Sequence, residues 1–175
     1  MKKTSLLICL LLSATTARYA AAQGNDSHGG EVAIGDAMPA FVITADDGTQ
    51  TTSAQFRGKV VLVNFFATWC PPCRTELAEM EKKLWPEYKD REDFVLLVIG
   101  REHSGAEVEK YGAERGLSFP LYPDKDRKIF AAFARQLIPR SYLTDKQGKI
   151  IFIAKGYEKK EFDNLMKAIE RALLQ

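Results

Sequence analysis

Apolar and polar positions along this chain change period several times, and each change marks a predicted element. Phe41-Val42-Ile43-Thr44 is a short β-branched run, Asp47-Gly48 a turn, and Gln50-Thr51-Thr52 a returning partner, which together predict a hairpin. Val60-Val61-Leu62-Val63-Asn64-Phe65-Phe66 is apolar on both sides of an extended chain, as in a strand covered on both faces. After Trp69 the period lengthens. Leu77, Met80, Leu84 and Tyr88 recur at helical spacing, predicting an amphipathic helix from about Pro72 that Pro86 kinks or ends. Phe94 to Ile99 predicts a second buried strand stopped at Gly100, and Ala106 to Arg115 a helix stopped at Gly116. A short segment at Pro120-Leu121-Tyr122 and a helix over 129–134 follow, while Phe119-Pro120 and Tyr122-Pro123-Asp124 read as loop. Ser141 to Thr144 and Ile150 to Ile153 flank a Gln147-Gly148 turn, and Phe162, Leu165, Ile169 and Leu173 stripe a closing helix. Strands alternating with helices, then a hairpin and a helix, predict an α/β chain whose mixed sheet is covered on both faces.

Composition adds a compartment. Met1-Lys2-Lys3 is basic, Leu6 to Leu12 is apolar around Cys9, and Ala20-Ala21-Ala22 supplies small residues, the order of a secretory signal peptide cleaved after Ala22. The apolar stretch is much shorter than the ~20 residues of a spanning helix. Residues 1–22 are thus expected to be signal, 23–30 a polar, Gly-rich leader, and 31–175 the folded domain. The charge balance shifts accordingly. The whole chain has 25 Lys+Arg and 23 Asp+Glu, but Lys2, Lys3 and Arg18 fall in the signal, leaving a nearly neutral remainder. Nothing there forms a basic field for nucleic acid or anionic lipid.

Of the three cysteines Cys9 goes with the signal, so an exported domain would keep only Cys70 and Cys73. A bridge between them closes too small a loop to constrain the unfolded chain much, which argues for chemistry over scaffolding. Cys70-Pro71-Pro72-Cys73 lies where a strand ends and a helix begins. Unpaired amides and the positive end of the helix dipole favour thiolate there, and thiolate is the nucleophile. Cys70, the outer residue, is expected to attack a substrate disulfide, and Cys73, one turn inward, to resolve the mixed disulfide. Zinc would need four ligands, and only His28 and His103 could supplement the two cysteines. A c-type haem site needs His after the second cysteine, where Arg74 stands. No metal and no cofactor are expected beyond the redox-active Cys70–Cys73 pair.

The segment Val63 to Glu76, with Trp69-Cys70-Pro71-Pro72-Cys73 at its centre, resembles the active-site region of thioredoxin-like proteins. More narrowly, with Ile138-Pro139 and the hairpin Tyr142 to Ile150, it resembles the extracytoplasmic TlpA/ResA-type thiol–disulfide oxidoreductases. The resemblance spans about 32–173 and implies a thioredoxin-like fold with an added N-terminal hairpin. It implies a cis peptide before Pro139, with Ile138 offering backbone to a substrate strand and the proline keeping a metal from bridging the thiols. Trp69 would cover the disulfide, and Arg140 would put a cation beside the substrate groove. Asn64 stands where thioredoxins usually keep a buried Asp. Glu76 matches an acidic residue of the narrower family, and a raised pKa and proton exchange with Cys73 are expected of it. Leu77 replaces a frequent family Pro, so a kink at that point is expected to be missing.

The resemblance further implies protein dithiol or disulfide substrates, a membrane electron-donor partner, and a reductant's role in cytochrome c maturation or envelope redox homeostasis. Two other functions compete. A thiol peroxidase would share the fold, but the Phe66-Ala67-Thr68-Trp69 lead-in lacks the Pro-x-x-x-Thr/Ser-x-x-Cys setting. A non-catalytic binding module would leave both cysteines idle.

Overall fold

The computed structural model describes residues 31–45 and 47–175; the expected signal and leader, with Cys9 and His28, lie outside them. In chain order the elements are β1 (Val42–Thr44), β2 (Gln50–Thr52), a 3-10 turn (Ser53–Phe56) and β3 (Val60–Phe66). Then come α1 (Pro71–Glu79), a π-helical turn (Met80–Leu84), α2 (Trp85–Tyr88), β4 (Phe94–Arg101) and α3 (Gly105–Arg115). β5 (Leu121–Asp124), α4 (Lys128–Phe133), β6 (Arg140–Thr144), β7 (Ile150–Lys155) and α5 (Lys159–Leu173) complete the chain.

β1 and β2 form a separate antiparallel pair, and the other strands make one sheet in the order β5-β4-β3-β6-β7. β3 runs parallel to β4 and antiparallel to β6, so the sheet is mixed. All seven residues of β3 are buried, which explains its unbroken apolar run. Its alternate side chains feed two cores. Leu62 and Phe66 join Leu77, Met80 and Leu84 below α1, with Val108 of α3 and Ile169 of α5. Val61, Val63 and Phe65 join Phe130, Phe133 and Tyr142 on the opposite face, where Ile43 of the hairpin also packs. This is the thioredoxin-like α/β architecture, with the added N-terminal hairpin.

Two local readings need correcting. Tyr122-Pro123-Asp124 is strand, not loop: β5 pairs in parallel with β4, Tyr122 opposite Ile99. Proline is tolerated because β5 is an edge. Pro86 does not stop the helix. The chain widens into a π turn just before it, which accommodates a ring that would otherwise meet the Lys82 carbonyl, and the helix continues to Tyr88. α3 is fixed at both ends by its own sequence. Ser104 and Glu107 form a reciprocal cap, and Gly116 takes the left-handed conformation at φ 63° that closes the helix.

Candidate active site

β3 delivers the chain to the top of the sheet, Ala67–Trp69 turns it, and Cys70 becomes the N-cap of α1. Pro71 and Pro72 have no N–H, so the first amide of the helix belongs to Cys73. It donates to Cys70 Sγ at 3.3 Å. The two cysteines are bonded, S–S 2.04 Å, and Cys73 is fully buried whereas Cys70 is 3% exposed. Reduction leaves the same amide, and the end of the helix dipole, facing whatever charge develops on Cys70.

The Ile138–Pro139 peptide bond is cis, and the Ile138 carbonyl oxygen lies 3.9 Å from Cys70 Sγ. The disulfide sulfur carries no proton, so this is a contact; a reduced thiol would bring a donor to it. Leu137, just before, has φ 73° and an exposed side chain. Its exposed apolar surface beside the cis-proline was not singled out from sequence, because nothing in the sequence marks a Leu for a left-handed position. Trp69 is 59% exposed, so it is not a core residue, and the Arg101 guanidinium lies over its ring at 5.6 Å.

Below the disulfide a polar cluster sits inside the core. Asn64 Nδ2 donates to Glu76 Oε2 at 2.9 Å and to Ser141 Oγ at 2.9 Å, and Ser141 Oγ donates to Glu76 Oε1 at 3.2 Å. All three are buried. Asn64 and Ser141 are register partners on β3 and β6, and both face α1. Ser141 escaped the sequence reading because only this cross-strand register brings it to Glu76.

Arg140 is a correction. One residue before Ser141, it points to the other face of the sheet and is 1% exposed, so it presents no cation to a substrate groove. Its Nη1 donates to the Gln136 carbonyl at 2.8 Å and to Glu31 at 3.1 Å, tying down the loop that carries Pro139. The Arg140 hydrogen bond, with one from Lys155, holds the Glu31 carboxyl below its usual range. The missing Pro at 77 leaves Leu77 buried in the face of α1, and the helix departs from α geometry only from Met80.

Burial pushes the Glu76 carboxyl up from 4.5 to about 7, partly opposed by the hydrogen bonds from Asn64 and Ser141. An unfolded chain therefore releases this proton earlier than the folded one. The contribution of Glu76 to stability is full below about pH 4.5 and is withdrawn as pH rises through about 7, a change on the order of 3 kcal/mol. Subtracting the Glu76→Gln profile from wild type isolates it. Urea unfolding of the disulfide form between pH 4 and 8 is expected to show the difference falling with pH; a flat difference would mean that Glu76 titrates normally.

The Redoxin family profile matches residues 33–169. The chain belongs to the Redoxin family. Its Redoxin relatives include the thiol-disulfide oxidoreductase ResA of Bacillus cereus (strain ATCC 10987 / NRS 248), 33% identical over 164 residues, covering 92% of this chain and 94% of that protein. The protein of the same name from Geobacillus kaustophilus is 34% identical over 130 residues, 74% of each. Among solved Redoxin-like structures, a Bacteroides thetaiotaomicron protein provisionally described as a protein disulfide isomerase is 38% identical with a TM-score of 0.79, covering 84% of this chain and 94% of that one. A thiol:disulfide interchange protein from Chlorobium tepidum is 28% identical with a TM-score of 0.63, covering 79% and 98%. This Redoxin chain is a thiol–disulfide oxidoreductase.

Proposed function

We propose that the protein works outside the cytoplasm as a reductant of protein disulfides, with Cys70 as nucleophile and Cys73 as resolving thiol. The arrangement that carries this reading is the Cys70–Cys73 disulfide at the start of α1, with Cys70 Sγ against the Cys73 amide and the Ile138 carbonyl. In the reaction Cys70 thiolate attacks one sulfur of the substrate disulfide, and the other sulfur leaves as thiolate. Cys73 thiolate then attacks Cys70 Sγ, closing the internal disulfide and releasing the second substrate thiolate. Two electrons pass to the substrate. Glu76, on the turn below Cys73, takes the Cys73 proton before this attack and is suited to it by a pKa of about 7. Trp69 and Ile138 contact the incoming chain beside Pro139.

A dithiol donor in the membrane must return the two electrons. The basic, apolar, small-residue order of 1–22 supports export to the periplasm or cell envelope. There the protein serves cytochrome c maturation or envelope redox homeostasis. The test is the reduction potential of the Cys70–Cys73 pair, equilibrated in dithiothreitol or glutathione buffers. A value near −270 mV supports a reductant; one near −120 mV would make the protein a disulfide donor and overturn the direction.

A further inference from the structure

We infer that His103 is a positioning residue for the nucleophile: its Nε2 holds the turn that presents Trp69 and Cys70. This rests on the oxidoreductase reading and assigns it a residue from a different part of the chain. His103 lies in the connection between β4 and α3, buried, and the Thr68 amide donates to its Nε2 at 3.0 Å. Thr68 stands two residues before Cys70, so this bond acts on the turn itself. Only a neutral ring with its proton on Nδ1 can accept at Nε2. That Nδ1 is buried with no hydrogen-bond partner among the described residues. A ring that leaves one nitrogen unpaired in order to offer the other to Thr68 gives up hydrogen bonding that a purely structural residue would keep.

The support behind His103 is rigid. Its N–H donates to the Gly100 carbonyl at 3.1 Å, and its carbonyl accepts from Asp124 N at 3.2 Å. Gly100 lets the ring seat closely, since a Cβ there would lie 3.2 Å from His103 Cβ and 2.5 Å from Val108 Cγ1. Glu102 between them has φ 65°, and its N–H donates to Asp124 O at 3.0 Å. Backbone in this left-handed region is kept where the surroundings demand it. Arg101, the last residue of β4, paired with Glu102 at 2.7 Å, lies over the Trp69 ring. The end of β4 and the connection after it therefore hold two consecutive residues, Thr68 through its amide and Trp69 through its ring, immediately before the reactive sulfur. Small misplacements of a reacting group cost rate steeply, up to about a hundredfold for 1 Å.

The test compares His103→Leu, which removes the acceptor, with His103→Gln, whose Oε1 reaches the place of Nε2. Each is made in a Trp85→Phe background so that Trp69 alone reports. His103→Leu is expected to lower kcat/KM for insulin disulfides about tenfold and to raise acrylamide quenching of Trp69, while His103→Gln restores both to within about twofold. Wild-type quenching and kcat/KM in His103→Leu would overturn the inference, as would His103→Gln failing to recover either. If His103→Leu does not fold, as judged by circular dichroism, His103→Asn, whose shorter side chain cannot reach Thr68, takes its place. Failure of the parent to reduce insulin would count against the proposed function alone, because the quenching comparison needs no turnover.

Discussion

Replacing Cys70 with Ser abolishes reduction of a protein disulfide, by at least about 10³-fold, because a hydroxyl at that position is not ionised by a helix N-terminus as a thiol is. Replacing Cys73 with Ser has a different outcome. Cys70 still attacks, but nothing displaces the substrate, so a one-to-one mixed disulfide accumulates that dithiothreitol releases. The asymmetry follows from geometry: Cys73 is fully enclosed while Cys70 retains an exposed edge, so an incoming disulfide meets Cys70. Non-reducing electrophoresis with a substrate in excess distinguishes the two. An adduct with the Cys70→Ser protein and none with the Cys73→Ser protein would reverse the assigned roles.

Phe65→Ala carries the second large effect, on stability. Phe65 is fully buried on β3 and meets Phe130 and Phe133 edge-on with ring centroids at 5.2 Å each. Tyr142 adds a third contact at 6.3 Å. Truncation removes the transferred surface and leaves a cavity among rings that cannot all close in, at about 3–5 kcal/mol. For a folded unit of this size that is a fall in melting temperature of roughly 10–15 °C. Val42→Ala on the exposed side of β1 is the control, expected within about 0.5 kcal/mol of wild type. Phe65 faces away from α1, so kcat/KM measured well below the new midpoint stays near wild type. A loss under 1 kcal/mol would show that this side of the sheet is loosely packed.

These two results draw on the parts of the chain most legible beforehand. β3 was readable because seven consecutive buried positions cannot be filled by anything but apolar or satisfied side chains. The cysteine pair was readable because its spacing and its place between a strand and a helix are local features. What was not legible depends on register and facing. Ser141 reaches Glu76 only because β6 lies antiparallel to β3 with Ser141 opposite Asn64. Arg140 was expected at the groove from its place beside Pro139, yet strand alternation turns it to the opposite core, where Glu31 meets its charge. His103 stood out only as one of two histidines, since 35 residues separate it from the amide it accepts. Tyr122-Pro123-Asp124 carried loop composition, and only its place at the sheet edge makes a strand of it.

That edge has a further meaning for contacts with extended backbone. Asp124 donates its N–H to the His103 carbonyl and accepts at its own carbonyl from Glu102 N–H, just past β4, so Pro123, one residue earlier, faces outward and offers no donor there. On the far side of the sheet, Gly35 and Asp36 bond to the backbone of Ile150, and Ala37 bridges Lys149, covering the start of β7. The β5 edge is only four residues long, and pairing at Ile150 shortens the free ladder of β7, so each margin offers less backbone for an extended segment to add to. Strand addition at these margins is thereby disfavoured, so the oxidoreductase resists edge-to-edge association.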